Sequence, residues 1–470
     1  MINVNDKFKK LASNTMIFAI GSIGSKFITF LLVPIYTNTL TTAEYGTTEI
    51  VVTAINLLIP FLSLSIQDAV LRFGLAPDVE TKKVIKNAVF IVGIGSIISC
   101  LLTPVYGLYD AIGQWAGYFS ILIILNMFRT IFSLQAKAIE KNIIFTIDVL
   151  MYSLLTCGVS CLFLIVFKQG IAGYFNALII ANIVSIVFLG TACGIWKEII
   201  YTKLDKNLMR QMLTFSVPLI FNAVSWWIAN SSDRLMLNYF NGAGDVGLYS
   251  VAAKIPSIIT SITSIFNQAW MISSVTEYDS TNDNSFYSKT FNGYNFVLIF
   301  CTALAIIVIK PFMYLYVGTD FRSSWIYVPF LLVGAIFFSY ANFFGAIYMS
   351  AKKNVSIMIT TLVAAIANVI LNYFMIPRWG IQGAVIATMI SYIIVGMYRL
   401  LGAQNIVRMN INMKKTFVAL ILLMIESIAT IGEGKMLIVS IVCAIVIFIM
   451  YMGMIKDYVL SIKQKVHKIK

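Results

Sequence analysis

The chain has 470 residues, of which 59% are hydrophobic and 11% charged, and its mean hydropathy is +0.88. A soluble globular protein carries about 25% charged residues, so this composition excludes a water-soluble enzyme or binding domain. The net charge of +14, from 34 Lys and Arg against 20 Asp and Glu, sits in short segments between apolar runs, where it sets membrane topology rather than holding nucleic acid.

Apolar runs recur at 14–36, 47–66, 88–108, 117–134, 145–167, 173–195, 212–239, 246–272, 291–309, 326–348, 355–375, 383–401, 416–431 and 437–455. Each is close to the length of about 20 residues that crosses a bilayer. In lipid the backbone must satisfy its own hydrogen bonds, so all are predicted helices. The expected class is an all-α integral membrane protein of about 14 spans. The first run lacks a small-residue cleavage site and reads as a span rather than a removable leader.

Placing the N-terminus inside puts 25 basic residues on the inner side, five outside and four within spans. That asymmetry predicts N-in and C-in termini and an even span count. The basic tail KDYVLSIKQKVHKIK is expected on the inner leaflet surface.

Chemistry-bearing motifs are sparse. Cys100, Cys157, Cys161, Cys193, Cys301 and Cys443 lie in apolar runs without metal-ligand spacing and read as packing residues. His467, the single histidine, is in the tail. With no P-loop, Ser/His/Asp set or Gly-rich dinucleotide turn, the expectation is a non-enzyme with no cofactor and no bound metal.

An internal repeat organises the chain. TAEYGTTEIV (42–51) matches AGDVGLYSVA (243–252) at an offset of 201, and Lys141-Asn142 matches Lys353-Asn354 at 212. GIAGYFNALIIANIV (170–184) matches GIQGAVIATMISYII (380–394) at 210. The order is preserved and six spans make each repeat, so two parallel six-helix bundles are predicted over 1–205 and 206–410. Two extra helices and a basic tail follow in 411–470. Such repeats are typical of alternating-access carriers, with the path lined by spans 1, 2, 7 and 8.

A charge near the bilayer centre costs roughly 2.5–3.5 kcal/mol on insertion scales and needs a partner, a cavity or a role. Lys26, Arg234 and Lys254 fall on spans 1, 7 and 8 with no obvious same-face carboxylate in their own helices, and read as cavity-lining cations. Asp68 and Arg72 stand one turn apart at the end of span 2, where they can pair. Glu49 begins span 2, Arg129 and Asp148 are placed to bridge spans 4 and 5, Asp233 neighbours Arg234, and Glu426 is mid-span 13. Pro34, Pro60, Pro218 and Pro256 supply bending points in spans 1, 2, 7 and 8.

The segments SIGSKFITFLLVPIYTNTLTTAEYG (22–46), AVLRFG (69–74), SVPLIFNAVSWWIANSSDRLMLNYF (216–240) and GLYSVAAKIPSI (247–258) resemble the Wzx-type flippases of the polysaccharide transporter family. That family lies within the multidrug/oligosaccharidyl-lipid/polysaccharide exporter superfamily. The resemblance implies an exporter fold that moves an undecaprenyl-diphosphate-linked oligosaccharide to the outer leaflet, for O-antigen, lipopolysaccharide or capsule synthesis. It also implies a cationic lumen, which falls by motif on Lys26, Arg72, Arg234 and Lys254, with Asp233 tuning Arg234. Glu49, Asp68, Arg129, Asp148 and Asp233 are the coupling or ion-pair candidates. Expected partners are the lipid-linked oligosaccharide, the membrane, a polysaccharide polymerase and a chain-length regulator, but no nucleic acid. A peptidoglycan-precursor flippase and a cation-coupled multidrug exporter of the same superfamily remain open alternatives.

Overall fold

The computed structural model describes residues 4–280, 284–432 and 436–469, with side chains from 21 to 453 except 229, 279–283, 354 and 433–436. The side chains of Lys7, Lys9, Lys10 and Lys435, and of the basic tail with His467, lie outside that described set.

Helix follows helix, and no strand occurs among the described residues. The order is α1 (Val4–Thr39), α2 (Thr42–Leu62), α3 (Ile66–Gly74), α4 (Thr81–Leu101), α5 (Thr103–Tyr106), α6 (Ala116–Ala138), α7 (Asn142–Ser160), α8 (Gly170–Ala192) and α9 (Ile195–Tyr201). Then come α10 (Lys206–Ser216), α11 (Leu219–Asn241), α12 (Ala243–Ser280), α13 (Asn284–Tyr316), α14 (Val328–Ser350), α15 (Asn354–Gln404), α16 (Met413–Ile431) and α17 (Met436–Ile469).

Every predicted run falls on helix, but ten helical segments of the described residues meet a span's length and hydropathy, fewer than the fourteen predicted. One reason is that the runs 355–375 and 383–401 share α15, which counts once. Two other runs are broken but still count among the ten. Positive φ at Leu64 and Ser65 separates α3 from α2, and Pro218 caps α11 where the run 212–239 changes helix.

The chain divides into two compact units, residues 1–250 with 317–321, and 251–316 with 322–470. In the first, α7 packs on α1 and α8, α6 on α4 and α8, and α2 on α11. Arg129 staples three of these helices. Its Nε donates to Ser185 Oγ at 2.9 Å, its Nη2 lies 3.3 Å from Asp148 Oδ2, and its guanidinium covers the Tyr152 ring at 3.6 Å. Ser185 donates in turn to Asp148 Oδ1. A buried carboxylate is tolerable only when so surrounded.

In the second unit α14 packs on α15 and α16 on α17. Trp270 stacks on Phe343 with centroids 4.3 Å apart and donates its indole N–H to the Phe343 carbonyl at 3.0 Å. Arg399, near the end of the run 383–401, is 4% exposed. It donates to the carbonyls of Ala341 and Ile357 at 2.9 and 3.0 Å and to the hydroxyls of Thr360 and Thr361 at 2.9 and 2.8 Å. A helical register decides burial, and distance from the end of a run does not report it.

The repeat is written in the backbone. Gly170 and Gly380 both take positive φ, +56° and +52°, a conformation that glycine adopts without a steric penalty. Each turns the chain from the first to the second helix of a matched pair. Glu140 and Lys352, the residues before the matched Lys-Asn dipeptides, also share positive φ, 58° and 57°. Lys141 and Lys353 then cap α7 and α15 with near-identical dihedrals, −81°/56° and −91°/50°.

Candidate functional site

The site begins at the turn from α1 into α2. A capping box closes it: Glu44 N donates to Thr41 Oγ1 at 3.2 Å, and Thr41 N donates to Glu44 Oε2 at 2.8 Å. Two orphan amides are thereby satisfied and the start of α2 is fixed. One turn on, Tyr45 and Glu49 share a face four residues apart, and the Tyr45 hydroxyl donates to Glu49 Oε1 at 2.9 Å. Both side chains are buried, at 1% and 8% exposure.

From α11, Arg234 reaches the same point. Its Nε lies 3.6 Å from Glu49 Oε2 and donates to Ser250 Oγ of α12 at 3.1 Å. Its neighbour Asp233, 3% exposed, accepts from the Tyr249 hydroxyl. Trp227, two turns earlier, donates its N–H to the Thr53 carbonyl at 2.9 Å and locks α11 onto α2. The result is one largely buried cation, its side chain 17% exposed, held among two carboxylates, two phenols and a serine. At an effective dielectric near 20, unit charges about 4 Å apart attract by about 4 kcal/mol.

Close backbone approach makes this possible. A Cβ on Gly46 would fall on the carbonyl oxygen of Ala243, and one on Gly247 would fall on that of Thr42. Gly46 with Gly247, Thr42 with Ala243, and Glu49 with Ser250 are all pairs at the repeat offset of 201. Arg234 therefore bridges two repeat-equivalent positions where the starts of α2 and α12 cross.

The remaining sequence candidates lie elsewhere. Lys26 is exposed on α1, and Lys254 is half-buried on α12 one turn beyond Ser250. Asp68 and Arg72 are both exposed on α3, and no ion pair joins them. Arg129 and Asp148 meet in the staple described above. Sequence reasoning singled out Glu49, Asp233 and Arg234 but missed Tyr45, Tyr249 and Ser250, which complete their shell. The repeat offset carried the missing signal, since it sets Ser250 opposite Glu49. Among the described residues no group of three His, Cys, Asp or Glu is arranged to hold a metal ion.

These features define a multi-pass α-helical membrane protein with a two-fold repeated exporter fold. The fold is similar to that of a solved lipid II flippase, MurJ, in an inward closed conformation, with TM-score 0.68 and 13% identity over 96% of this chain and 100% of that one. It is also similar to an inward-facing multidrug resistance transporter of the MATE family, with TM-score 0.64 and 14% identity over 82% of this chain and 96% of that one. The chain belongs to the polysaccharide biosynthesis protein family, whose pattern matches residues 11–273. A relative, Lsg locus putative protein 1 of Haemophilus influenzae (strain ATCC 51907 / DSM 11121 / KW20 / Rd), is 20% identical over 275 residues. That match covers 55% of this chain and 65% of the relative, a little under two thirds of its length.

Proposed function

We propose that this protein is a flippase that carries undecaprenyl-diphosphate-linked oligosaccharide units, for O-antigen or capsule, from the cytoplasmic to the outer leaflet. The observation that carries the reading is one of extent. The likeness to the lipid II flippase runs over 96% of this chain, against 82% for the multidrug transporter, and membership of a polysaccharide biosynthesis family supports a glycan cargo. A peptidoglycan precursor is the second reading, favoured by the MurJ likeness alone.

The chemistry asked of the protein is transport without bond making. A lipid diphosphate carries about two negative charges across a low-dielectric slab, and fixed cations offset that cost. We assign this role to Lys26, Arg72, Arg234 and Lys254. Arg234 is charge-compensated by Glu49 in this conformation, so the incoming diphosphate competes with Glu49 for it. The prenyl tail stays in lipid, and only the head group needs a polar path. Alternating access then consists of parting and remaking the α2–α12 crossing, with ion coupling through the carboxylates Glu49 and Asp233. Both termini are placed in the cytoplasm, from the excess of inner-side Lys and Arg.

Deletion of the gene tests the reading. Loss of one surface polysaccharide, with lipid-linked units accumulating in the inner leaflet, is the expected result. Drug sensitivity with intact surface glycan would contradict it.

A further inference from the structure

The helix pair α16–α17 lies outside the twelve-helix repeat, and one residue in it has no part in the transport reading. Glu426, midway along α16, is 0% exposed. Among the described residues neither of its carboxylate oxygens has a hydrogen-bond partner. The polar groups beside it are engaged elsewhere. Ser427 donates to the Leu423 carbonyl at 2.8 Å. Thr430 donates to the backbone carbonyl of Glu426 itself at 2.9 Å, and its hydroxyl meets Ser440 Oγ of α17 at 3.0 Å.

The elements packed against α16 are α13, α14 and α17. From α17 the Cys443 thiol is within electrostatic reach of Glu426. Tyr451 of α17 and Tyr340 of α14 are bound to Asn295 of α13, which also holds Thr416 near the start of α16. Lys415, the nearest cation on α16, covers the Tyr451 ring at 4.1 Å. It stands eleven residues before Glu426, roughly 16 Å along the helix at about 1.5 Å per residue. Among the described residues no cation neutralises this carboxyl group.

An ionised carboxylate without donors costs several kcal/mol in such a place. The neutral acid avoids that cost, and its O–H is a donor of its own. A side chain with only a packing role would be better served by Leu or Met, which fill the same volume without a polar group. We propose that Glu426 is a proton-binding site of the α16–α17 pair. It is a carboxylic acid in this conformation, and it releases its proton only when that helix contact admits water or when the Thr430 and Ser440 hydroxyls turn toward it. A single carboxyl with no second acidic ligand selects a proton over a divalent metal. The inference does not rest on the transport reading.

The test treats the full-length protein in vesicles with dicyclohexylcarbodiimide, which enters lipid and reacts with protonated carboxyl groups, and maps the adducts by mass spectrometry. Labelling of Glu426 is expected at neutral pH, with that adduct absent from E426Q. Above the pKa the labelling falls about tenfold per pH unit over a series from about pH 5 to about pH 9. Infrared spectroscopy gives a second readout free of reagent access: the protonated-acid carbonyl band present in the wild type is lost in E426Q. Equal spectra for the two proteins at neutral pH would overturn the proposal. Suppression of labelling by sodium at fixed pH would also overturn it, by making the site one for a metal cation.

Discussion

Gly46 and Gly247, 201 residues apart in sequence, meet backbone to backbone, and a side chain on either would strike the carbonyl of the residue four before the other. The contact is reciprocal because the two residues hold the same place in the two repeats. It brings the starts of α2 and α12 close enough for one arginine to touch both. Packed elements of this kind are expected to switch between discrete arrangements rather than deform continuously.

Gly46→Ala and Gly247→Ala should therefore force the crossing apart. Disulfide trapping reads this directly. A Cβ at Gly244 would lie 3.7 Å from Thr42 Oγ1, which puts Thr42→Cys and Gly244→Cys within bonding range. In a background freed of the six native cysteines, this pair should oxidise readily and, once oxidised, stop export until reduced. Adding Gly46→Ala should lower the yield of cross-link. An unchanged yield would show that the crossing tolerates a methyl group and is looser than described.

Glu49 and Arg234 should behave as a coupled pair. Removing one partner of a buried ion pair costs about 3 kcal/mol, because the other is left uncompensated. Glu49→Gln and Arg234→Gln should each lower thermal stability in detergent, and the double variant should recover part of the loss, with a coupling of about 1–3 kcal/mol. Export should stay low in both variants that lack Arg234, including the double. Additive losses would mean that the two charges act independently.

For Lys26 and Lys254 a different pattern is expected. Neither lies in the Glu49–Arg234 pair, so Lys26→Ala and Lys254→Ala should leave membrane abundance near the wild-type level while reducing surface polysaccharide. Lys→Arg at either position should retain more export than Lys→Ala, since the charge survives. Wild-type export in both alanine variants would place these residues outside the path.

Two staples predict stability effects without a change of cargo. Asp148→Asn leaves Arg129 without its carboxylate and should cost about 3 kcal/mol. Arg399→Leu removes the charged donor to the Ala341 and Ile357 carbonyls and to the Thr360 and Thr361 hydroxyls, and should cost about 1.5–3 kcal/mol in all, since both hydroxyls still donate to the Ile357 carbonyl. Thermal unfolding in detergent measures both. A melting temperature equal to that of the wild type would rule out the staple role.

How far the sequence anticipated these features depended on whether a signal was linear or rotational. The repeat was legible, because glycine at a positive φ leaves a mark in sequence: Gly170 and Gly380 stand at matched places and share a positive φ. The helices were legible from length and hydropathy alone. The burial of Arg399 was not legible, because a run of apolar residues fixes depth only to within a turn and says nothing of which face a side chain takes. Asp68 and Arg72 have the right spacing for a pair, yet both face outward without meeting. Neutral partners drawn from separate helices, such as Tyr249 with Asp233 or Ser185 with Asp148, lack the opposite charges that made Arg129 and Asp148 a legible pair.

Reconstitution tests the central claim most directly. The purified protein is placed in vesicles carrying an undecaprenyl-diphosphate-linked oligosaccharide in both leaflets, and the fraction accessible to an external glycosidase is followed with time. The account predicts that accessibility rises beyond the outer-leaflet fraction with wild-type protein, and that Arg234→Gln or an oxidised Thr42→Cys/Gly244→Cys pair abolishes the rise. Accessibility fixed at the outer-leaflet fraction, in vesicles where the protein is shown to be folded, would contradict it.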